Sequence, residues 1–195
     1  MIPSTISIQS GSKNYQVQFV SARAEIVDHL KKINNIVVIT DKEIEKLYPD
    51  FINEIKEFAP TYSMVASEDN KTLSGAEFVL KQLQSMNATK STTIVAIGGG
   101  IIQDIVSFCA HIYYRGLPFI FIPTTLLAMC DSCIGGKNGL NYNGFKNQLG
   151  AFHPPEKVLI WSGFVSSLPD DAIYSGYGEI IKLMLIESEA AYLQV

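Results

Sequence analysis

Short apolar runs rich in β-branched residues recur along the chain, and segments with helical spacing separate them. Continuous apolar runs of this length are typical of strands buried on both faces of a parallel sheet. The segments 42–58 and 72–86 carry apolar residues every three or four positions, and Pro49 is expected to kink or divide the first. The candidate strands are 35–40 (NIVVIT), 62–65, 92–97 (TTIVAI), 118–122 (PFIFI) and 157–161. The alternation favours right-handed parallel connections, and therefore an α/β fold with a Rossmann-like, mainly parallel sheet and flanking helices.

The two ends of the chain depart from this pattern. Residues 5–8 and 15–19 alternate polar and apolar side chains around the turn signal Gly11-Ser12-Lys13-Asn14, which predicts an N-terminal β-hairpin. Residues 172–194 have a helical pattern and follow Leu168-Pro169. We therefore expect an α/β nucleotide-binding domain at 1–163 and, at 164–195, the beginning of an α-helical domain that is truncated.

Charge and hydropathy exclude two classes of partner. The net charge of -4 leaves no broad basic surface, which argues against nucleic-acid binding. Asp104, Pro118 and Pro123 interrupt the apolar stretches well before the ~20 residues that a membrane span needs. The N-terminus carries no basic segment followed by an apolar one, so we expect no membrane partner and a cytoplasmic location.

The three cysteines, Cys109, Cys130 and Cys133, are expected to be reduced, because they cannot all pair and the chain is large enough to fold without disulfides. Cys130 and Cys133 form a C-x-x-C sequence, which is compatible with redox chemistry or with half of a zinc site. No second cysteine pair and no suitably spaced histidine accompany it. We therefore favour the interpretation that these are small packing residues.

Three consecutive glycines, Gly98, Gly99 and Gly100, directly follow a predicted strand and precede an apolar helix at 101–110. This arrangement turns free backbone N–H groups and the positive end of the helix toward an anion, and a dinucleotide pyrophosphate fits there. The Rossmann fingerprint G-x-G-x-x-G is absent, because Gln103 stands where its last glycine would fall. A purely structural tight turn remains an alternative for the glycines alone.

Charged residues at other predicted strand ends support a ligand site. Asp41 ends a strand, where a carboxylate can bind ribose hydroxyls, and Glu68 with Lys71 follows another strand end. Taken singly, each is more typical of a helix cap or a solvated charge. The glycine-rich loop 131–147 then supplies side chains that can bind a phosphate or, on a bare loop, would be solvated; they are Lys137, Asn141, Lys146 and Asn147.

Five motifs carry a resemblance to a known family: GGGIIQD, YYRG, PTTLLAMCDSCIGGK, FKNQLGAF and GYGEIIK. In their order and approximate spacing, the chain from about Val38 to its end resembles the N-terminal portion of the 3-dehydroquinate synthases, which are members of the sugar-phosphate cyclase family. The related iron-type alcohol dehydrogenases and glycerol dehydrogenases share only the glycine turn and the PTT sequence.

The resemblance implies an enzyme that depends on NAD and on a metal, Zn²⁺ or Co²⁺. Its reaction would be the cyclisation of 3-deoxy-D-arabino-heptulosonate 7-phosphate to 3-dehydroquinate with release of phosphate. This is a carbon-oxygen lyase reaction of the shikimate pathway, which leads to the aromatic amino acids. The resemblance also implies a homodimer.

By motif position, the resemblance implies a role for three groups of residues. Residues that would hold NAD are Asp41, Glu68, Lys71, Gly98, Gly99, Gly100, Asp104, Thr124, Thr125 and Leu127. The catalytic residues would be Asp131, Lys137, Asn147 and Lys182, with Lys146 and Arg115 binding substrate and Arg115 acting across the dimer interface. Glu179 would be the first metal ligand. Glu179 and Lys182 are three apart and share a helix face, which alone is more typical of a surface salt bridge.

The sequence departs from the family in ways that keep the function open. The remaining metal ligands of the family are histidines of the C-terminal domain, and His29, His111 and His153 match no ligand position. We therefore expect NAD binding with little or no turnover. Gln103 and Asn138 replace a usual glycine and threonine, which leaves the substrate open within the family. A sister cyclase acting on sedoheptulose 7-phosphate or an amino analogue, and a non-catalytic nucleotide-binding module, remain alternatives.

Overall fold

A computed structural model describes residues 4–11 and 13–194, and it contains one large mixed sheet flanked by helices. The strand order is β1-β2-β9-β6-β5-β3-β4, and every neighbouring pair is parallel except β1 and β2. The strands are β1 (Thr5–Ile8), β2 (Tyr15–Phe19), β3 (Ile36–Asp41), β4 (Thr61–Met64), β5 (Thr93–Gly98), β6 (Phe119–Pro123) and β9 (Lys157–Ile160). The Rossmann-like, mainly parallel sheet and the N-terminal hairpin are confirmed; Ser12 of the predicted turn lies outside the described residues.

The helices that flank the sheet are α1 (Arg23–Leu30), α2 (Lys42–Leu47), α3 (Pro49–Lys56), α4 (Leu73–Ser85) and α5 (Gly100–Ile112). Pro49 divides α2 from α3, as predicted. Short 3₁₀ turns lie at Glu68–Asn70, Tyr113–Arg115 and Ser162–Ser167, and a π-helical turn lies at Ala128–Ser132. Two helices follow at the C-terminal side, α6 (Asp170–Glu187) and α7 (Glu189–Tyr192).

Apolar side chains from the two faces of the sheet form two cores. Alternate residues of a strand point to opposite faces, so Val37 and Ile39 pack with α4 and α5, while Ile36 and Val38 pack with α1 and α3. The central strands β3, β5 and β6 are almost completely buried. This rigid centre fixes the carboxyl ends of three neighbouring parallel strands, where ligands bind in folds of this type.

The structure corrects the sequence-based prediction at three places. Helix α1 was not predicted, and the predicted helix 172–194 is two helices, because the Ser188 side chain accepts a hydrogen bond from the Ala191 N–H and starts α7. The loop predicted at 131–147 contains a hairpin of β7 (Leu140–Tyr142) and β8 (Phe145–Leu149). Asn143 and Gly144 form its turn with φ angles of 50° and 82°, which is the left-handed conformation that Asn-Gly hairpin turns require.

Helix α6 packs against the π-helical turn at Gly176, its only buried residue among those described. The segment 164–195 as the start of a separate helical domain stays a prediction. Across the described residues, we find no helix with the length and apolar character needed to cross a membrane.

Candidate functional site

A cavity of about 570 Å³ lies at the carboxyl ends of β3, β5 and β6. It brings together most of the residues that the sequence predicted for the site. Its lining consists of Asp41, Ala66, Glu68, Lys71, Gly99, Gly100, Ile101, Asp104, Thr125, Leu127, Asp131, Ser132, Lys137 and Asn147. Gly98 and Thr124 lie directly beside it at the strand ends, where the Thr124 N–H donates to the Gly98 carbonyl at 2.9 Å.

The glycine turn forms the floor of this cavity. Gly98 ends β5, and a Cβ there would lie 2.5 Å from Cγ1 of Ile102, so only glycine lets strand and helix pack this closely. Gly99 is the N-cap of α5 and has no side chain to satisfy the first N–H groups of the helix. Those N–H groups and the positive helix end therefore face the cavity and can hold an anion.

Asp41 lies at the adjacent strand end. The sequence left open whether it caps a helix or belongs to a ligand site, and in the structure it does both. It is the N-cap of α2, where its Oδ1 accepts a hydrogen bond from the Glu43 N–H at 3.1 Å. It also lines the cavity. Burial raises the pKa of the Asp41 carboxyl above its ordinary value. A carboxylate in this position can accept hydrogen bonds from ribose hydroxyls.

Lys71 and Asp104 form a buried ion pair beside the glycine turn. Nζ of Lys71 lies 2.7 Å from Oδ2 of Asp104, and their side chains are 9% and 18% exposed. The other carboxylate oxygen of Asp104 accepts a hydrogen bond from the Gly139 N–H at 3.2 Å. Burial raises the pKa of Asp104, and Lys71 partly offsets that increase. Asp104 thus joins α5 to the Lys71 segment and to the lysine loop, 133–139.

The β7–β8 hairpin is attached to Glu68 through Asn141. Nδ2 of Asn141 donates to Oε1 of Glu68 at 2.8 Å, and this hydrogen bond is the main cause of a lowered Glu68 pKa. Oδ1 of Asn141 accepts from the Asn147 N–H at 3.0 Å. Lys146 is on β8, with Nζ 3.8 Å from Oε1 of Glu68. The hairpin therefore places Asn147 at the cavity and Lys146 at its edge.

Lys137 follows two glycines in left-handed conformations, Gly135 at φ 92° and Gly136 at φ 67°. Its Nζ lies 3.6 Å from Oδ1 of Asp131, and its side chain is 60% exposed. A Cβ on Gly136 would lie 2.6 Å from the Cα of Pro154, so the backbones approach too closely for any other residue. The sequence places an exposed, positively charged side chain on a tightly held backbone.

Glu179 and Lys182 lie one turn apart on α6 and form an ion pair with each other. Their hydrogen bond raises the pKa of Lys182. Neither residue is among those that line the cavity. Helix α6 contacts the π-helical turn that carries Asp131, since Sγ of Cys130 lies 3.9 Å from the Gly176 carbonyl. The described residues contain no group of three or more His, Cys, Asp or Glu side chains that could hold a metal, so Glu179 alone does not make a metal site.

Arg115 lies outside the cavity. It lines a separate open cleft with Lys13, His111 and His153, and its backbone has a positive φ of 68°. Burial lowers the pKa of His153, whose Nε2 is 2.9 Å from the Leu117 carbonyl oxygen. Within a single chain, Arg115 does not lie beside the other predicted site residues. Its role across a dimer interface stays a prediction.

All three cysteines are free. Cys109 and Cys133 are buried, which raises the pKa of each thiol to about 12. Cys130 is half-buried, and burial also raises its pKa. These thiols pack in the protein, as expected, and the raised pKa of each is the opposite of the lowered pKa that activates a cysteine.

The sequence did not single out three further residues of the cavity, Ala66, Ile101 and Ser132. Oγ of Ser132 is buried and has no hydrogen-bond partner within the described part of the chain. A Cβ added to Gly100 would lie 3.4 Å from this hydroxyl, which places Ser132 beside the start of α5. Its position directly after Asp131 was the only sequence signal. The anchoring role of Asn141 carried no sequence signal beyond its place in the loop.

Two comparisons with known proteins, with a family model and with curated sequences, identify the same family. A model of the 3-dehydroquinate synthase N-terminal region matches residues 61–175. The 3-dehydroquinate synthase of Clostridium tetani is 39% identical over 162 residues, which are 82% of this chain and 43% of that protein. The chain spans about half the length of the curated relatives that it matches.

Solved structures of sugar-phosphate cyclases share the fold. A 2-deoxy-scyllo-inosose synthase, complexed with carbaglucose-6-phosphate, NAD⁺ and Co²⁺, superposes with a TM-score of 0.82 at 26% identity over 93% of this chain and 52% of its own. The 2-epi-5-epi-valiolone synthase of Streptomyces hygroscopicus, with NAD⁺ and Zn²⁺ bound, has a TM-score of 0.81 at 27% identity over 92% and 51%.

Proposed function

The chain belongs to the 3-dehydroquinate synthase family, and on that premise we propose that it forms the NAD-binding and phosphate-binding part of a cyclase active site. The proposed reaction is the cyclisation of 3-deoxy-D-arabino-heptulosonate 7-phosphate to 3-dehydroquinate with elimination of phosphate. One observation carries the proposal: the start of α5, the Asp41 carboxylate and the Lys137 loop all line the same cavity.

The cavity has the features that a dinucleotide needs. A Cβ on Gly99 would lie 3.1 Å from Cγ2 of Thr125, and one on Gly100 would lie 3.4 Å from Oγ of Ser132. Because neither glycine has a side chain, the floor of the cavity stays open. The N–H groups of the α5 start would bind the pyrophosphate, and Asp41 would accept hydrogen bonds from a ribose. Bound NAD would accept a hydride from the substrate carbon that bears a hydroxyl and return it later in the cycle. The Lys71–Asp104 pair holds the surrounding segments in place.

The lysine loop would bind the phosphorylated substrate. An ammonium group with three donors suits a phosphate, and the exposed Lys137 side chain can reach one at the cavity mouth. Asp131, 3.6 Å from it, can accept hydrogen bonds from substrate hydroxyls and orient the lysine. Asn147 adds an amide at the same wall, and Lys146 adds positive charge beside Glu68. This arrangement separates cofactor binding at the glycine turn from substrate binding at the loop.

The metal requirement cannot be met by the described residues. Glu179 would contribute one carboxylate, and Lys182, now paired with it, would be free to contact substrate once the carboxylate binds a cation. Zn²⁺ or Co²⁺ with catalytic function needs at least three protein ligands. We therefore expect the chain by itself to bind NAD with little or no turnover.

A sister cyclase activity is the second candidate, because the structural neighbours described above are cyclases of other sugar phosphates. Sedoheptulose 7-phosphate or an amino analogue would then be the substrate. The higher identity to 3-dehydroquinate synthases, 39% against 26%, favours the first candidate. A non-catalytic nucleotide-binding module is the third candidate. The joint presence of Asp131, Lys137 and Asn147 at the cavity argues against it.

A homodimer is part of the proposal. Arg115 lies in a cleft separate from the cavity of its own chain, so it can contribute to substrate phosphate binding only at the site of a partner subunit. The segment 164–195 would belong to the helical domain that carries Glu179.

Phosphate release tests this function. The protein is incubated with NAD and Zn²⁺ or Co²⁺, and with either the heptulosonate phosphate or sedoheptulose 7-phosphate. Release from the first substrate alone supports the leading candidate, and release from the second alone supports the sister activity. No release from either, with NAD bound, supports a partial active site. A protein that binds neither NAD nor phosphate contradicts the proposal.

A further inference from the structure

We propose that Tyr15 is a positioning residue that fixes the backbone leading into Lys137 and thereby the place of its ammonium group at the cavity. The inference rests on the proposed function, since it concerns the lysine that the function assigns to the phosphate. Tyr15 is the first residue of β2, in the N-terminal hairpin, and lies 120 positions before Gly135 in the sequence.

The phenol of Tyr15 is tied to the lysine loop by its hydroxyl. The side chain lies in the apolar core, with the residue 3% exposed, and its Oη accepts a hydrogen bond from the Gly135 N–H at 2.8 Å. The same hydroxyl can donate to the Cys133 carbonyl at 3.5 Å, which is long for a hydrogen bond of this type. Burial raises the pKa of Tyr15, so the hydroxyl keeps its proton at neutral pH.

The two sides of the loop are held in different ways. From Gly136 onward, the backbone pairs with a neighbouring segment: the Gly136 carbonyl accepts from the His153 N–H at 2.7 Å, and the Asn138 N–H donates to the Ala151 carbonyl at 3.0 Å. On the near side, within the described part of the chain, the Gly135 N–H has Tyr15 as its hydrogen-bond partner.

The glycines make this contact important. Gly135 and Gly136 both have positive φ angles, and glycine backbones lose more freedom on ordering than those of other residues. The hydrogen bond with Tyr15 therefore favours one backbone conformation of Gly135. That conformation determines the direction in which the chain enters Lys137. A phenylalanine would fill the same space in the core, so the hydroxyl is the part of Tyr15 that acts on the loop.

The test is a double-mutant cycle between Tyr15→Phe and Lys137→Ala. Inorganic phosphate is titrated in the presence of saturating NAD, which occupies the glycine turn, and binding is followed by the amide resonances of Gly135 and Lys137. We expect Tyr15→Phe to weaken phosphate binding about 3- to 10-fold, the value of one hydrogen bond. In the Lys137→Ala background the same change should have no effect, because no ammonium remains to be positioned.

Two controls separate positioning from general destabilisation. Tyr62→Phe removes a half-buried tyrosine hydroxyl that makes no hydrogen bond in the described residues, and it should leave phosphate affinity unchanged. Hydrogen exchange of the Gly135 amide should accelerate in Tyr15→Phe, while NAD affinity stays within about twofold of the original value.

The outcomes distinguish the inference from the function on which it rests. Equal losses of NAD and phosphate affinity in Tyr15→Phe, or an unchanged phosphate affinity in Tyr15→Phe while Lys137→Ala weakens it, would overturn the inference alone. An unchanged phosphate affinity in Lys137→Ala would overturn the assignment of Lys137, and the role of Tyr15 with it.

Discussion

The ammonium group of Lys71 lies 2.7 Å from Oδ2 of Asp104, and this buried pair connects two segments that flank the glycine turn. Asp104 also accepts a hydrogen bond from Gly139, so one carboxylate links α5, the segment that follows β4, and the lysine loop. A charge removed from such a pair leaves its partner buried and uncompensated. The pair is therefore the point where the glycine turn and the lysine loop, the two parts of the cavity proposed for cofactor and substrate, are joined.

Asp104→Asn should destabilise the fold because the Lys71 side chain, 9% exposed, would keep its charge without the carboxylate that pairs with it. We expect a loss of about 3 kcal/mol in the free energy of unfolding, measured by chemical denaturation. Glu77→Gln is the matched control, since the Lys81–Glu77 pair is exposed and should contribute less than about 1 kcal/mol. Equal small effects of both changes would contradict the structural role of Asp104.

Lys137→Ala should weaken phosphate binding without weakening NAD binding. Loss of the ammonium group should weaken binding of inorganic phosphate about tenfold or more, while NAD affinity changes less than about twofold. Isothermal titration calorimetry measures both. Lys90→Ala removes an exposed lysine that forms no ion pair in the described residues, and it should change neither value. A parallel loss of NAD affinity in Lys137→Ala would show that the lysine contacts the cofactor.

Two glycines of α6 should respond in opposite directions. A Cβ on Gly176 would lie 2.6 Å from Cβ of Leu126, so Gly176→Ala should cost about 1–3 kcal/mol through overpacking. Gly178 has nothing within 4 Å, so Gly178→Ala should stabilise the helix by about 0.5–1 kcal/mol. Thermal unfolding of the two variants checks this. Equal effects would mean that α6 does not pack on Leu126 in solution.

The affinity for NAD should fall as the pH is lowered through the raised pKa of Asp41. The carboxylate is the form that accepts ribose hydrogen bonds, so affinity is highest above the pKa and declines as Asp41 takes up a proton. Because burial raises that pKa, the decline should begin at a pH above the ordinary value of 3.8. Asp41→Asn should lose this part of the pH profile, and Asp50→Asn, on an exposed residue, should keep it. Identical profiles for both variants would contradict the role of Asp41.

The thiols should differ in reactivity. With a pKa of about 12, Cys109 and Cys133 are thiolates to only about one part in ten thousand at pH 8. The partly exposed Cys130 should therefore react first with a thiol reagent, and all 3 cysteines should react after unfolding. Rapid reaction of Cys133 in the native protein would show that the π-helical turn opens.

The sheet and the position of the site were predictable because local pattern determines both. Runs of buried β-branched residues define strands, and parallel connections gather their carboxyl ends at one edge, which brings Asp41 and the glycine turn together. Helix α1 was missed because its eight residues carry only three buried ones, Ile26, Val27 and Leu30, between charged positions. The β7–β8 hairpin did have a signal, Asn143-Gly144, which was interpreted as part of a glycine-rich loop.

Long-range side-chain pairing could not be predicted from sequence. The Lys71–Asp104 pair and the Tyr15–Gly135 hydrogen bond each join segments that meet only after the sheet has formed. No periodicity or spacing encodes such contacts. The contacts of Asn141 with Lys71 and Glu68 are also long-range pairings that the sequence does not predict, because they form only when the hairpin packs against the segment after β4.

If the cavity at the start of α5 binds NAD, a titration of the protein with NAD, followed by amide chemical shifts, should detect it. We expect saturable binding with the largest changes at Gly99, Gly100 and Ile101. An absence of saturable binding would contradict this expectation. So would changes centred on the neighbouring cleft of about 410 Å³ that Lys42 and Phe78 line.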